Sequence, residues 1–533
     1  DMKTNKLLLN KMILELHKVE IYTFDKLLEN KSQIQPSKKI DKDYQILDTE
    51  NKIELLLDEI KSKNIISIDL ETTSLDANIA EIIGVSLSFQ ANKAYYIPFK
   101  YPEMPQSAVP QKFLISQLKK MIEDFNLKFI GQNIKYDALV LRKYNIFLEN
   151  IYFDTMIAES LIAPEKNIYN LNSLSGKYLG YEMTSIDTLI GKNTEYDLME
   201  HVPLDKISFY ACEDADVVYQ IYLFQKEVIK ALNLNDLFYN LEIPFINVLV
   251  DLEYNGVFVD LEIVRKLSKD LNKKLRNVSE KIYLHAGKEF NINSPQQLAV
   301  VLFDEMKLKM FKKRSTSVEV LKKLFDFHPI AEDILNFRHL SKLINTYLDK
   351  LPNHVNDNTK RIHTSFNQAI TSTGRLSSTK PNFQNIPIKT DIGKSIRKAF
   401  CVQNPDNIIV SFDYSQIELR ILAHYSNEEK LIRAFKNNLD IHSRTAALVY
   451  GINDEDVEYN HRRVAKMINY SIAYGAGPFR ISEELKIPIK QAKVIIDNYF
   501  DRYPGIKNYI DEIVTYGTEN GYVKTFMGRR RNT

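Results

Sequence analysis

The chain has 533 residues, too many for one domain; at roughly 150 residues per domain it holds about three or four. Hydrophobic residues make up 44% and charged residues 26%, which excludes disorder over the whole length, and no apolar run approaches the ~18 residues of a membrane span. Lys and Arg number 71 against 69 Asp and Glu, a net +2 that neither demands nor forbids a polyanion, and the two cysteines, Cys212 and Cys401, exclude a disulfide scaffold or a Cys-rich zinc site. Leu7-Leu8-Leu9 has no small-residue cleavage site behind it, so no secretory signal is expected. A first residue Asp1 in place of Met points to a start inside a longer gene product.

A helical stretch is predicted over Leu7 to Leu28, and Ser32 to Asp43 reads as a linker. Strands are then expected at Tyr44–Leu47, Ile65–Leu70, Ile82–Phe89 and Ala94–Pro98, with helical spacing at Ile53–Ile60, which argues an α/β domain over 43–228. From about 229 the apolar spacing is helical: Val264–Leu284, Pro295–Met306, Val318–Phe327 and Ile330–Leu351. Residues 260–323 carry 15 Lys and Arg against 8 Asp and Glu, a local +7 that leaves −5 elsewhere. A basic segment beside acidic regions suits a protein that grips a polyanion in one place and holds metal ions in another; a solvated helical face is the plainer alternative. A second α/β patch is expected at 360–425, where His363-Thr364-Ser365 and an apolar strand Ile408–Phe412 lead into a helix, and 426–533 return to helices.

Asp69-Leu70-Glu71 closes an apolar strand, and side chains at i and i+2 share a strand face, so the two carboxylates converge. They are either solvated or a seat for a hard cation. Asp137, in Gly131-Gln132-Asn133-Ile134-Lys135-Tyr136-Asp137, stands where a strand gives way to a helix. Tyr210 and Asp214 are one helical turn apart in Tyr210-Ala211-Cys212-Glu213-Asp214. Each segment alone also reads as a cap or a surface stripe. Together, in this order and spacing, they resemble the DEDDy class of 3′–5′ exonucleases, the proofreading domain of bacterial DNA polymerase I. The resemblance implies an RNase H-like fold, metal binding by Asp69, Glu71, Asp137 and Asp214, and water positioning by Tyr210. Hydrolysis of a phosphodiester must stabilise charge on the attacking and the leaving oxygen, and two divalent ions about 3.5–4 Å apart, held by several carboxylates, do this. Asp154, in Phe153-Asp154-Thr155, reads as structural.

The second half carries a hydroxyl- and amide-rich stretch, Thr371 to Ser378 with Arg375, followed by Gln384-Asn385-Ile386-Pro387; such groups suit sugar and phosphate. Asp413-Tyr414-Ser415-Gln416-Ile417-Glu418 follows the apolar run, and Ser415 and Glu418 have capping-box spacing. Arg462, Lys466, Tyr470 and Tyr474 recur every four residues as two cations and then two aromatics. Cations near a helix N-terminus oppose the macrodipole, a cost that a bound triphosphate would reverse.

These segments, with Asn255-Gly256-Val257, Thr346 to Pro352 and Arg502-Tyr503-Pro504-Gly505, resemble the polymerase domain of family A DNA polymerases, in order from about 43 to 530. The resemblance implies a right-hand domain over 229–533, with thumb about 250–358, palm about 359–425 and fingers about 426–533. It implies that Asp413 binds both catalytic metals, Glu418 excludes a ribose 2′-OH, and Arg462 and Lys466 hold the triphosphate, Lys466 doubling as the acid for pyrophosphate. Tyr470 would pack on the incoming nucleotide, Tyr474 would border the templating base, and Arg375, Gln384 and Asn385 would contact DNA. Two Mg²⁺ per active site (with Mn²⁺ as a substitute), primer–template DNA, dNTPs and a monomeric state follow from the same likeness. A phenol at Tyr470 can replace a missing substrate 3′-OH, so weak discrimination against dideoxynucleotides is expected.

No His-Asp-Glu motif follows in this chain, so the last part of the palm and its second carboxylate are expected to be missing. Gly at 16 residues with abundant Lys, Asn and Ile looks like an AT-rich coding sequence. Joined to the resemblance, it points to the plastid (apicoplast) replicative polymerases of apicomplexan parasites, with a bacterial cytoplasm as the alternative. Two other classes compete: an RNase D-like exonuclease, which needs nothing after 229, and a non-catalytic duplex-binding scaffold, which needs none of the carboxylates.

Overall fold

The computed structural model describes residues 42–533 apart from 103, 106–107, 166–167, 192–193, 312–313 and 389. The helix expected at Leu7–Leu28 and the linker up to residue 41 lie outside the described residues. The chain divides into two units, Asp1–Ile409 with Phe526–Arg529, and Val410–Thr525 with Arg530–Thr533.

In the first unit, β-branched and aromatic runs build a mixed six-stranded sheet. Its strands are β1 (Asp43–Ile46), β2 (Ile65–Thr72), β3 (Ile82–Gln90), β4 (Lys93–Pro98), β5 (Lys128–Gly131) and β6 (Ile151–Asp154), in the order β1-β4-β3-β2-β5-β6. β2, β3 and β4 form an antiparallel meander, while β1, β5 and β6 run parallel to β4, β2 and β5. Ile66, Ile68, Val85, Leu87, Phe129 and Ile130 are fully buried between the sheet and its helices. Those helices include α1 (Glu50–Ile60), α2 (Lys135–Lys143), α3 (Thr155–Ile162) and α4 (Leu204–Ala231). α4 lies against β2, β3 and β4, with Ala211 and Val218 in the clusters that hold the sheet residues, and its alanines let helix and sheet approach closely.

The same core continues into α5 (Ile243–Asn255) through Ile243, Ile246 and Val250. α5 stops at Gly256, where φ is +59° and a Cβ would meet His363 Nδ1 at 2.7 Å and Ile362 O at 2.8 Å. α6 (Leu261–Ala286) is capped by Asp260, ends at left-handed Gly287 and pairs with α7 (Ile330–Leu343). Only a narrow stripe of α6, Val264, Leu271 and Ile282, is fully buried, so most of the basic residues of 260–286 face away from that core. The helices expected over Pro295–Met306 and Ile330–Leu351 are regular to Ala299 and Leu343 and then widen into π-turns at Val300–Glu305 and Ile344–Leu348. A short hairpin, β7 (Ser365–Asn367) with β8 (Ser377–Thr379), brackets the hydroxyl-rich loop.

The second unit is helical. α8 (Ile417–Tyr425), α9 (Ile441–Tyr450) and α10 (Tyr459–Ala473) close on a core of Leu419, Ile441, Ile468, Ile472, Ile481, Ile496, Tyr499 and Ile506. The strand expected at Ile408–Phe412 is not formed: the segment is irregular, and Phe412 is 92% exposed. β-branched sequence alone does not make a strand, because a ladder needs a partner for its N–H and C=O groups, and no described strand pairs here. The Ser415–Glu418 capping box is also absent. Gln416 holds the N-cap position at φ +54° with no side-chain cap, and Ser415 instead accepts at its carbonyl from Arg420 Nε at 2.9 Å.

Candidate active sites

Strand geometry sends Asp69 and Glu71 to the same face of β2, and α4 brings Asp214 to them. One carboxylate oxygen from each lies within 4.8 Å of the others. Asp137, on the first turn of α2, is fixed by the backbone between the two strand acids: Leu70 N–H donates to its Oδ1 at 3.0 Å. Tyr210, one turn before Asp214 on α4, donates its hydroxyl to the Asp214 carboxylate. All five residues singled out in the first half of the sequence therefore converge at β2.

Their electrostatics are those of an unneutralised acid cluster. Burial pushes the Asp69 carboxyl up to about 6. Glu71, Asp137 and Asp214 are pushed well above the usual carboxylate range, first by burial and then by the negative charge of Asp69. Among the described residues, no lysine, arginine or histidine is one of the main charges acting on these four. Glu71 Oε1 is buried with no hydrogen-bond partner among the described residues. Buried like charges without a counterion are costly, and protonation or a cation is what relieves them. Three hard oxygen donors within reach of one another fit a divalent ion such as Mg²⁺. Asp154 is of another kind: it caps α3 by accepting from Met156 N and Ile157 N at 2.9 Å and holds Ile134 N at 2.8 Å.

Sequence reading missed a brace behind Asp214. Lys42 donates to Glu213 Oε1 at 2.8 Å and lies 4.1 Å from the centre of the Tyr181 ring; Thr184 N donates to Glu213 Oε2 at 2.7 Å. Tyr44 donates to Asp216 at 2.8 Å. The acids flanking Asp214 in Cys212-Glu213-Asp214-Ala215-Asp216 are visible in the sequence, but their partners Lys42 and Tyr44, more than a hundred residues away, are not.

Two of the three DNA contacts expected in the first unit, Gln384 and Asn385, have local hydrogen bonds. Gly374 has φ +78°, and a Cβ there would meet Arg529 Nε at 2.6 Å; Arg529 pairs with Glu242. Arg375, next in the loop, is exposed. Gln384 donates to Leu376 O at 3.0 Å, and Asn385 accepts at its carbonyl from Tyr347.

In the second unit, Tyr474, at the end of α10, donates to the Glu418 carboxylate on the first turn of α8. The Tyr470 phenol is raised by burial and then by the charges of Glu418 and Asp413, so both acids face it. Asp413 itself is exposed and on irregular backbone, not at a strand end. Arg462 pairs with Asp440 at 2.6 Å, and Asp440 in turn caps α9. That pair answers the expected helix-dipole penalty within the fold, as do Glu458 and His461, which form the capping box of α10. Lys466 is exposed one turn further. His442 is buried beside Tyr470, with ring centres 5.9 Å apart, and bonds to Asn469 at 3.1 Å. Among the described residues the second unit has no acid cluster of metal-ligand spacing.

A proofreading-type acid cluster followed by a helix bearing two cations and two tyrosines defines a class, and the comparisons agree with it. The model for DNA polymerase family A matches residues 261–533, and a 3′–5′ exonuclease model matches 14–229. The chain belongs to DNA polymerase family A and carries the family's 3′–5′ exonuclease domain. It is 39% identical over 502 residues to DNA polymerase I of Borreliella burgdorferi, covering 92% of this chain and 54% of that protein. To DNA polymerase I of Chloroflexus aurantiacus it is 38% identical over 488 residues, covering 89% and 51%. The chain thus spans about half the length of the curated relatives it matches. Its fold is similar to a solved structure described as the POL domain of Pol1 from M. smegmatis in complex with DNA primer-template and dNTP, with TM-score 0.78, 28% identity, and coverage of 92% of this chain and 81% of that one. No described helix is long and apolar enough to cross a membrane.

Proposed function

We propose that this chain is the proofreading and nucleotide-adding part of a template-directed DNA polymerase, active on primer–template DNA and dNTPs. The observation that carries the reading is the convergence of Asp69, Glu71, Asp137, Asp214 and Tyr210 at one strand. The exonuclease region is 43–228, the polymerase region 229–533, with thumb, palm and fingers at about 250–358, 359–425 and 426–533. Two divalent cations, Mg²⁺ with Mn²⁺ able to replace it, serve each site; when bound they neutralise charge on the phosphate being cut or joined.

The chain's own residues do the rest. Asp69, Glu71, Asp137 and Asp214 hold the cations in the exonuclease site. Tyr210, its proton committed to Asp214, turns its oxygen lone pairs to a water and aligns it for attack. In the second site Asp413 is the metal ligand, and Glu418, held by Tyr474, fills the space a ribose 2′-OH would need. Arg462 and Lys466 take the triphosphate, Arg462 exchanging Asp440 for phosphate, and Lys466 delivers a proton to the departing pyrophosphate. Tyr470 packs on the nucleotide and Tyr474 borders the template base. Arg375, Gln384 and Asn385 contact the DNA. We further propose a monomer working in a plastid, on the strength of the AT-rich composition; the relatives named above are bacterial, which supports the bacterial alternative.

The test gives the complete polymerase a recessed primer–template with Mg²⁺. Without dNTPs the primer shortens one nucleotide at a time, and with all four it lengthens; Asp69→Asn abolishes the first and Asp413→Asn the second. A primer whose length never changes overturns the reading.

A further inference from the structure

Tyr96 is fully buried on β4, yet its hydroxyl has no hydrogen-bond partner among the described residues. An unpaired buried hydroxyl costs stability, and phenylalanine would fill the same space without that cost. Among the described residues of the sheet, Glu71 Oε1 and Ser67 Oγ on β2 are likewise buried without a partner. The strand register relates Glu71 to Tyr96. Glu71 pairs with Gly84 on β3, and Gly84 sits diagonally from Tyr96, whose own partner on β3 is Ser86. The Tyr96 ring lies over Gly84: a Cβ at that position would overlap the hydroxyl itself. Glycine therefore opens a path along which a tyrosine two strands away extends toward the residue opposite Glu71. The Glu71 charge is the strongest that acts on the Tyr96 phenol, ahead of Cys212, so the hydroxyl is on the Glu71 side of the sheet.

We propose that Tyr96 is a positioning residue of the exonuclease site: its hydroxyl, carried over Gly84, donates a hydrogen bond to Glu71 Oε1 and fixes that carboxylate when the acid cluster takes up divalent cations. This rests on the reading of Asp69, Glu71 and Asp214 as a cation site. Partners that orient a metal-binding carboxylate change metal affinity about 10- to 100-fold on removal.

The test is Mn²⁺ binding followed by electron paramagnetic resonance, with the cluster's signal taken as the difference from Asp69→Asn/Glu71→Gln, together with thermal melting. Tyr96→Phe is expected to melt without Mn²⁺ at the wild-type temperature or above and to bind Mn²⁺ at the cluster about tenfold more weakly. In a Glu71→Gln background the same change is expected to have no effect on Mn²⁺ binding. Equal Mn²⁺ affinity in wild type and Tyr96→Phe overturns the proposal, as does an equal loss in both backgrounds. That last arm also covers a Tyr96→Phe protein that is merely destabilised. A wild type whose Mn²⁺ titration matches Asp69→Asn/Glu71→Gln instead overturns the cation-site reading beneath it.

Discussion

The two acid-bearing sites are built in opposite ways. The exonuclease acids stand on a strand and two helices, Glu71 and Asp137 buried and Asp69 and Asp214 half-buried, pinned by Leu70 N–H and Tyr210, and pay for assembly in unneutralised charge. The acids of the second unit, Asp413 and Glu418, stand on irregular backbone and on a helix without a side-chain cap, and Asp413 is exposed. The first site is assembled before any ligand arrives; the second holds its cation Arg462 on a replaceable partner, Asp440. On the proposed reading, rigidity suits a reaction with water, which needs only a fixed target, whereas a site that would admit four different nucleotides benefits from adjustable contacts.

This contrast can be broken at several points. Removing one pinned acid has the largest effect: Asp214→Asn lowers 3′-terminal cleavage about 10³-fold, the scale of several kcal/mol of lost charge stabilisation. The same change raises the melting temperature without added cations, because it removes one of four crowded carboxyls whose ionisation the fold resists. A variant that loses activity and stability together would show that the acids are structural.

The next effect concerns pH. Asp69, raised to about 6, and its neighbours bind more protons folded than unfolded. Without cations, stability is therefore greatest at acid pH and falls as pH rises from about 4 through 6. A divalent cation must displace those protons, so it stabilises more at pH 8, where a hundredfold excess over Kd contributes about 2.7 kcal/mol, than at pH 6. Melting curves with and without Mg²⁺ at both pH values measure this; equal shifts would contradict it.

A third prediction sharpens the brace behind Asp214. Lys42→Met leaves Glu213, 1% exposed, without its cation, while Tyr181 and Thr184 still bond to it. A loss of about 1–3 kcal/mol in denaturant unfolding is expected. Smallest is the second site's adjustable contact. Tyr470→Phe changes the preference for dideoxynucleotides by about tenfold, one hydrogen bond's worth, in steady-state incorporation by the complete polymerase. An unchanged ratio would remove the phenol from nucleotide selection.

The acid cluster is legible in the sequence because strand spacing puts Asp69 and Glu71 on one face and helix spacing puts Tyr210 one turn from Asp214, while the resemblance to the DEDDy exonucleases is what joins these segments and Asp137 into one set. The apolar strand at Ile408–Phe412 misled for a physical reason, since propensity counts side chains while a strand is made by its neighbours. Ser415 and Glu418 had cap spacing, yet Tyr474 takes Glu418 and Gln416 enters the left-handed region. Asp440 as partner to Arg462, and Lys42 as partner to Glu213, were illegible because spacing says nothing about charges that meet only through tertiary packing.

The most direct measurement is single-turnover release of the 3′-terminal nucleotide from a single-stranded oligonucleotide in Mg²⁺, comparing the wild-type chain with Asp69→Asn/Glu71→Gln. The account predicts stepwise release of mononucleotides by the wild type and a fall of at least about 10³-fold in the double variant. Equal release by both, or none by either, would contradict it.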